Sequence, residues 1–160
     1  MTQPSNPPPG AVVIDANVVI AICAKEARKE PVALAELAAY SIRGYQFYAP
    51  GLLISEALYV LCNQEQSGAL SPIDFARAIT ELENLTSGIL PLPRGDIALV
   101  QRAAAIRTGY GCIRAADSIY LALAEELTQT RPTVILTFDQ GISNQVVRNT
   151  PTVTVHVLIP

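Results

Sequence analysis

Charge is scarce in this chain of 160 residues: 16% are Asp, Glu, Lys or Arg while 50% are hydrophobic, where soluble domains carry roughly 25% charged residues. Intrinsic disorder, a polyelectrolyte tail and a highly basic nucleic-acid packager are thereby excluded. The formal net charge of −3 offers no global attraction to phosphate or anionic lipid, so any contact with nucleic acid has to be local. No stretch approaches the ~18 to 20 apolar residues of a membrane span, and Met1 to Gly10 has neither a basic residue nor a following uninterrupted apolar run suited to a signal peptide. A soluble, cytoplasmic protein without membrane contact is expected.

Nitrogen and sulfur ligands are as scarce. The 3 cysteines, Cys23, Cys62 and Cys112, are odd in number, far apart and without C-x-x-C spacing, which argues against a disulfide frame or a thiolate zinc site and for small, reduced core residues. The single histidine, His156, lies in the alternating stretch V-T-V-H-V-L, so neither an H-E-x-x-H site nor a Ser-His-Asp or Cys-His device can be assembled. No G-x-x-x-x-G-K-[ST] occurs, and no G-x-G-x-x-G follows the first strand candidate, which removes the usual phosphate cradles of nucleotide hydrolysis and dinucleotide redox chemistry.

What is present describes one domain, the length falling within the ~100 to 200 residues usual for one. Residues 1–10, with prolines from Pro4 to Pro9, read as a disordered leader, and residues 11–160 as the fold. Ala11 to Ile14, Gln46 to Ala49, Ile89 to Leu92, Thr133 to Phe138 and Val153 to Leu158 are strand candidates. Helices are predicted over Val18 to Ala24, Pro31 to Arg43, Pro50 to Gln66, Pro72 to Ser87 behind a Ser71 cap, Asp96 to Thr108, Ala115 to Thr128 and Gln140 to Val147. Strands separated by helices predict an α/β sandwich with a mostly parallel sheet, because parallel neighbours need crossover connections.

Ligands of open parallel sheets bind beyond the carboxyl ends of the strands. Asp15 ends A-V-V-I and Asp139 ends T-V-I-L-T-F, each with a short polar companion two residues away, Asn17 and Thr137. Either aspartate alone is read equally well as a helix N-cap. Glu56 borders a helical stripe of Leu53, Ala57, Val60 and Leu61, where an unpaired carboxylate is costly to desolvate. Asp117 shares a helix face with Tyr120, Leu121 and Ala124, or else pairs with Arg114. Together the acids suggest a convergent carboxylate cluster that repels itself unless a cation lies among them. Oxygen ligands alone select a hard cation, Mg²⁺ or Mn²⁺ rather than zinc.

The succession V-V-I-D-A-N-V-V-I, I-S-E-A-L-Y-V-L, A-A-D-S-I-Y-L-A-L-A and I-L-T-F-D-Q-G-I resembles the PIN-domain family, in particular VapC-like toxin ribonucleases, over about Ala11 to Leu158. The resemblance implies a three-layer sandwich with a central, mostly parallel sheet of about five strands flanked by helices. It implies that Asp15, Glu56, Asp117 and Asp139 hold one or two Mg²⁺ or Mn²⁺ ions with support from Asn17 and Thr137, that the chain forms a homodimer, and that a small antitoxin inhibits the toxins. An antitoxin helix is then expected near Ala33 to Tyr40 and Leu53 to Leu61, stripes that also read as core. The Pro-rich leader and the segment from Leu70 to Leu92 exceed what a minimal toxin needs.

The expected activity is metal-dependent hydrolysis of RNA phosphodiester bonds, the ion activating water and no protein nucleophile taking part. Arg102, Arg107 and Arg114 fall in a locally basic stretch whose one acid is Asp96 and either contact RNA phosphates or form an ordinary solvated helix face. The alternatives are a non-catalytic PIN-like RNA-binding or interaction module, and a receiver-like phosphoacceptor, which the confinement of lysine to Lys25 and Lys29 disfavours.

Overall fold

A computed structural model of the chain describes residues 8–109 and 115–160. The expected leader therefore lies outside the described residues as far as position 7, as do Cys112 and Arg114. Strand β1 (Ala11–Ile14) is followed by α1 (Ala16–Cys23), α2 (Glu30–Ile42), β2 (Gln46–Tyr48), α3 (Leu52–Gln66) and α4 (Pro72–Ser87). A 3-10 turn (Asp96–Leu99) leads into α5 (Val100–Thr108), then α6 (Ala115–Thr128), β3 (Thr133–Thr137), α7 (Gln140–Asn149) and β4 (Thr154–Val157).

The strands form one parallel sheet in the order β2-β1-β3-β4. Every residue of β1 and β3 is buried; since successive side chains point to opposite faces, both faces of the sheet's centre are covered. That is why these strands read as unbroken β-branched runs. The edge strands β2 and β4 are only partly covered. Helix α6 packs on β1 and β3, α1 packs on β3, and α1 in turn carries α2, α3 and α4.

The sheet has four strands among the described residues, not the expected five. Near Ile89 to Leu92 the pairing shrinks to one bridge, Tyr48 with Leu90, in which Leu90 N–H donates to the Phe47 carbonyl at 2.8 Å and Ala49 N–H to that of Leu90 at 3.2 Å. Pro91 and Pro93 have no N–H to offer, so the ladder cannot propagate. The helices follow the predicted order, with the Asp96 segment starting as a 3-10 turn. Ser71 Oγ accepts the Asp74 N–H at 3.1 Å and Pro72 opens α4, as the Ser-Pro pair predicts.

Of the cysteines expected in the core, Cys23 is buried but Cys62 is exposed. On α3 the inward row is Leu53, Ala57 and Leu61, and the residue after Leu61 is turned about 100° away from it. That row, Ala33 and Tyr40 all belong to the hydrophobic core. No helix among the described residues is long and apolar enough to cross a membrane.

Candidate active site

Parallel strands deliver their carboxyl ends to one edge, and Asp15, Thr137 and Asp139 stand there. The β1–β3 ladder runs past the end of β1, the Asp15 N–H donating to the Leu136 carbonyl at 3.0 Å. Asp15 is thereby fixed beside Thr137, 122 positions away, and Thr137 Oγ1 donates to Asp15 Oδ2 at 2.6 Å. Asn17 Nδ2 donates to the same oxygen at 2.7 Å and to Thr137 Oγ1 at 3.1 Å, while Asn17 Oδ1 accepts the Phe138 N–H at 3.0 Å. The two polar companions, Thr137 buried and Asn17 half-buried, form one bracket between the strand ends. Asp15 stands at the N-cap of α1 but makes no side-chain cap bond, so capping does not account for its carboxylate.

Asp139 does cap its helix: its Oδ1 accepts the Gly141 N–H at 2.7 Å. Its own N–H donates to Thr137 Oγ1 at 2.9 Å, which joins it to the Asp15 bracket. Two further residues orient the remaining acids. Tyr120 Oη donates to Glu56 Oε2 at 2.6 Å, and Gln145 Nε2 donates to Asp117 Oδ2 at 2.8 Å. Each of the four carboxylates thus accepts a hydrogen bond from a protein donor. Tyr120 was legible only as an apolar face position and Gln145 not at all; the one signal for Gln145 is a long amide one turn beyond the polar start of α7.

Asp15 carries the electrostatic signature of the site. Its pKa is pushed up from 3.8 to about 6, first by burial and then by the charges of Asp117 and Glu56, against the lowering effect of the Thr137 hydrogen bond. Glu56 is also raised, by burial and by Asp117, with the Tyr120 hydrogen bond opposing. Burial and the Glu56 carboxylate push the Tyr120 hydroxyl up, so it stays a donor. Asp15, Glu56 and Asp117 therefore share one field.

Among the described residues no three His, Cys, Asp or Glu side chains stand close enough to share an ion as they are arranged. The donor set nevertheless fits a hard divalent cation. It is all oxygen, its buried Asp15 is poised against neighbouring negative charge that a cation relieves, and Mg²⁺ commonly takes only one or two carboxylates and keeps several waters.

Beside Glu56 opens a cleft of about 530 Å³ between α3, α5 and α6, with Leu52, Val100, Arg107 and Ser118 in its walls. Asp96 braces it: Oδ1 accepts the Gly51 N–H at 2.9 Å and Oδ2 the Leu52 N–H at 3.2 Å, tying the start of α5 to that of α3. Arg107 faces this cleft. Arg102 is engaged with Glu125 across α5 and α6, its Nε and Nη2 donating to the two carboxylate oxygens at 2.7 and 2.8 Å. Arg114 is outside the described residues.

A family model for the PIN domain matches residues 12–146, more than half of the chain and every residue of the site just described. No curated protein matches the sequence.

Proposed function

From the chain's membership of the PIN-domain family, whose members are usually nucleases, we propose that it is a Mg²⁺- or Mn²⁺-dependent endoribonuclease. The observation that carries the proposal is Asp15, a carboxylate kept buried at the end of β1 and inside the field of two further carboxylates although ionisation there is disfavoured. A buried carboxylate set against neighbouring negative charge is the arrangement that marks a candidate functional residue.

Asp15, Asp117 and Asp139 are the residues that would hold the cation. When bound there, such a cation would supply Lewis-acid activation of water and would offset negative charge developing on the phosphate. Thr137 and Asn17 hold the Asp15 carboxylate in orientation, and Gln145 does the same for Asp117. Tyr120 fixes Glu56 through Oε2, leaving Oε1 to orient the attacking water and take its proton, for which a raised carboxyl is suited. Arg107 meets the RNA backbone in the cleft.

The same reading takes the protein as a toxin and a homodimer. An apolar groove of about 360 Å³, lined by Leu34 and Leu37 of α2 with Phe47, Leu85 and Ile89, offers a seat for an antitoxin helix.

The test is cleavage of a mixed RNA pool, folded tRNA and single strands included, with Mg²⁺ or Mn²⁺, with chelator, and with Asp15→Asn. Cleavage that requires both the metal and Asp15 is expected. A chelator-resistant activity, or one retained in Asp15→Asn, overturns the proposal, and a protein that binds RNA without cutting it under any of these conditions is the non-catalytic module instead.

A further inference from the structure

The opposite end of the sheet carries a second cleft, of about 410 Å³, where the amino ends of β3 and β4 meet the residues that lead into β2. Two arginines line it, Arg43 at the end of α2 and Arg131 just before β3, together with Tyr40, Tyr45, Thr152 and Thr154. The Arg43 guanidinium lies over the rings of Tyr40 and Tyr45, at 5.1 and 4.9 Å from their centroids. Arg131 lies over Tyr48 at 5.7 Å, and its Nη1 donates to Tyr48 Oη at 2.9 Å and to Gln46 Oε1 at 3.2 Å. Both cations are thus held in place by aromatic faces and neutral oxygens.

Neither is neutralised. Among the described residues Arg43 and Arg131 form no ion pair, whereas Lys29, Arg77 and Arg102 each have a carboxylate within 4.0 Å. Nor are the guanidiniums spent on the carbonyls at the ends of α2 and α6, since their hydrogen bonds go to the side chains of Tyr45, Gln46 and Tyr48. Glu36, the acid whose field reaches Tyr40, stands 3.9 Å from His156 Nδ1. Two guanidiniums without an ion-pair partner among the described residues, Arg43 exposed and Arg131 half-buried, in a concave site of a chain with net charge −3 match an anion with several acceptor oxygens, and exposed Thr152 and Thr154 offer hydroxyl donors beside them.

We propose that this cleft is a second subsite for the phosphodiester backbone of a single-stranded RNA, engaging phosphates remote from the bond that is cut. The proposal rests on the nuclease reading and adds a place where the substrate is anchored. The cleft and the carboxylates lie at opposite ends of the sheet, which β1 alone makes about 13 Å long at ~3.3 Å per residue, and an RNA that reaches both has to pass around the outside of the molecule, which takes several nucleotides. The cleft gives affinity for length and carries no information about sequence.

The experiment is binding of a labelled single strand of roughly 30 nucleotides, longer than the ~4 to 16 that one binding module covers. The full chain is used in chelator, where cleavage is off, from roughly 50 to 200 mM salt. Removing two phosphate contacts in Arg43→Gln/Arg131→Gln should lower the slope of log affinity against log salt by about 1.4, so that wild-type affinity falls about sevenfold more than the variant's over that range. Arg131→Lys should keep the slope, and exposed Arg28→Gln should leave it unchanged. An unaltered slope in the folded double variant overturns the subsite; if that variant also cuts RNA normally, the nuclease reading stands without it. Loss of slope in Arg131→Lys equal to that in Arg131→Gln overturns it as well, the effect then arising from packing against Tyr48. Absence of RNA binding by the wild-type chain overturns it outright.

Discussion

Replacing Asp15 with asparagine should stabilise the metal-free protein at neutral pH. In the unfolded chain this carboxyl ionises near 3.8, and in the folded chain at about 6. Between those values the folded state keeps a proton that the unfolded state has released, so stability falls as pH rises through the window and stays low above it. At about 1.4 kcal/mol per unit, the ionised carboxylate costs the fold about 3 kcal/mol at neutral pH. Asparagine has the same shape, carries no charge, and its carbonyl can accept the bonds that Thr137 Oγ1 and Asn17 Nδ2 make to Oδ2. Urea unfolding in chelator at a series of pH values should show Asp15→Asn gaining on the wild type between about pH 4 and pH 6, by up to ~3 kcal/mol, and matching it below. Mn²⁺ should then close the gap by stabilising the wild type alone. A variant that is less stable at neutral pH, or a difference that does not change with pH, would refute the reasoning.

Thr137→Val removes the donor to Asp15 and strips the Asp139 N–H of its acceptor in a fully buried position; a loss of about 1 to 3 kcal/mol is expected in the same unfolding assay. Tyr120→Phe deletes the hydrogen bond that holds Glu56 down. The acidic limb of the pH–rate profile should accordingly move to higher pH, and an unmoved limb would remove Glu56 from the proton transfer. Gln145→Leu leaves the Asp117 carboxylate without its buried amide donor; Mn²⁺ affinity measured by titration should fall roughly 10- to 100-fold with the fold retained.

The sequence carried most of the framework because the framework rests on local chemistry. The β-branched runs at Ala11 and Thr133 announce strands buried on both faces, and Ser71-Pro72 announces a helix start that forms as expected. The third strand candidate failed on a local rule as well: the prolines after Leu90 end the ladder at one bridge. At the site, Asp15, Asn17 and Thr137 were legible from their places after apolar runs, and the fold brings them into contact. What stayed hidden depends on partners distant in the chain. Gln145 reaches Asp117 from another helix, Tyr120 turns a core position into a donor for Glu56, and Arg102 is taken up by Glu125, 23 residues on. The cleft of Arg43 and Arg131 was hidden for the same reason, its arginines being 88 positions apart in a chain whose net charge gives no hint of a basic site.

The central claim is that Asp15 and the carboxylates whose charge it feels hold a divalent cation, and the most direct measurement is titration of Mn²⁺, followed by its free-ion electron paramagnetic resonance signal, into wild type and Asp15→Asn. The wild-type chain should remove Mn²⁺ from the free pool at one or two sites that Mg²⁺ competes for, and Asp15→Asn should not. Equal binding by both proteins, or none by either, would contradict the account.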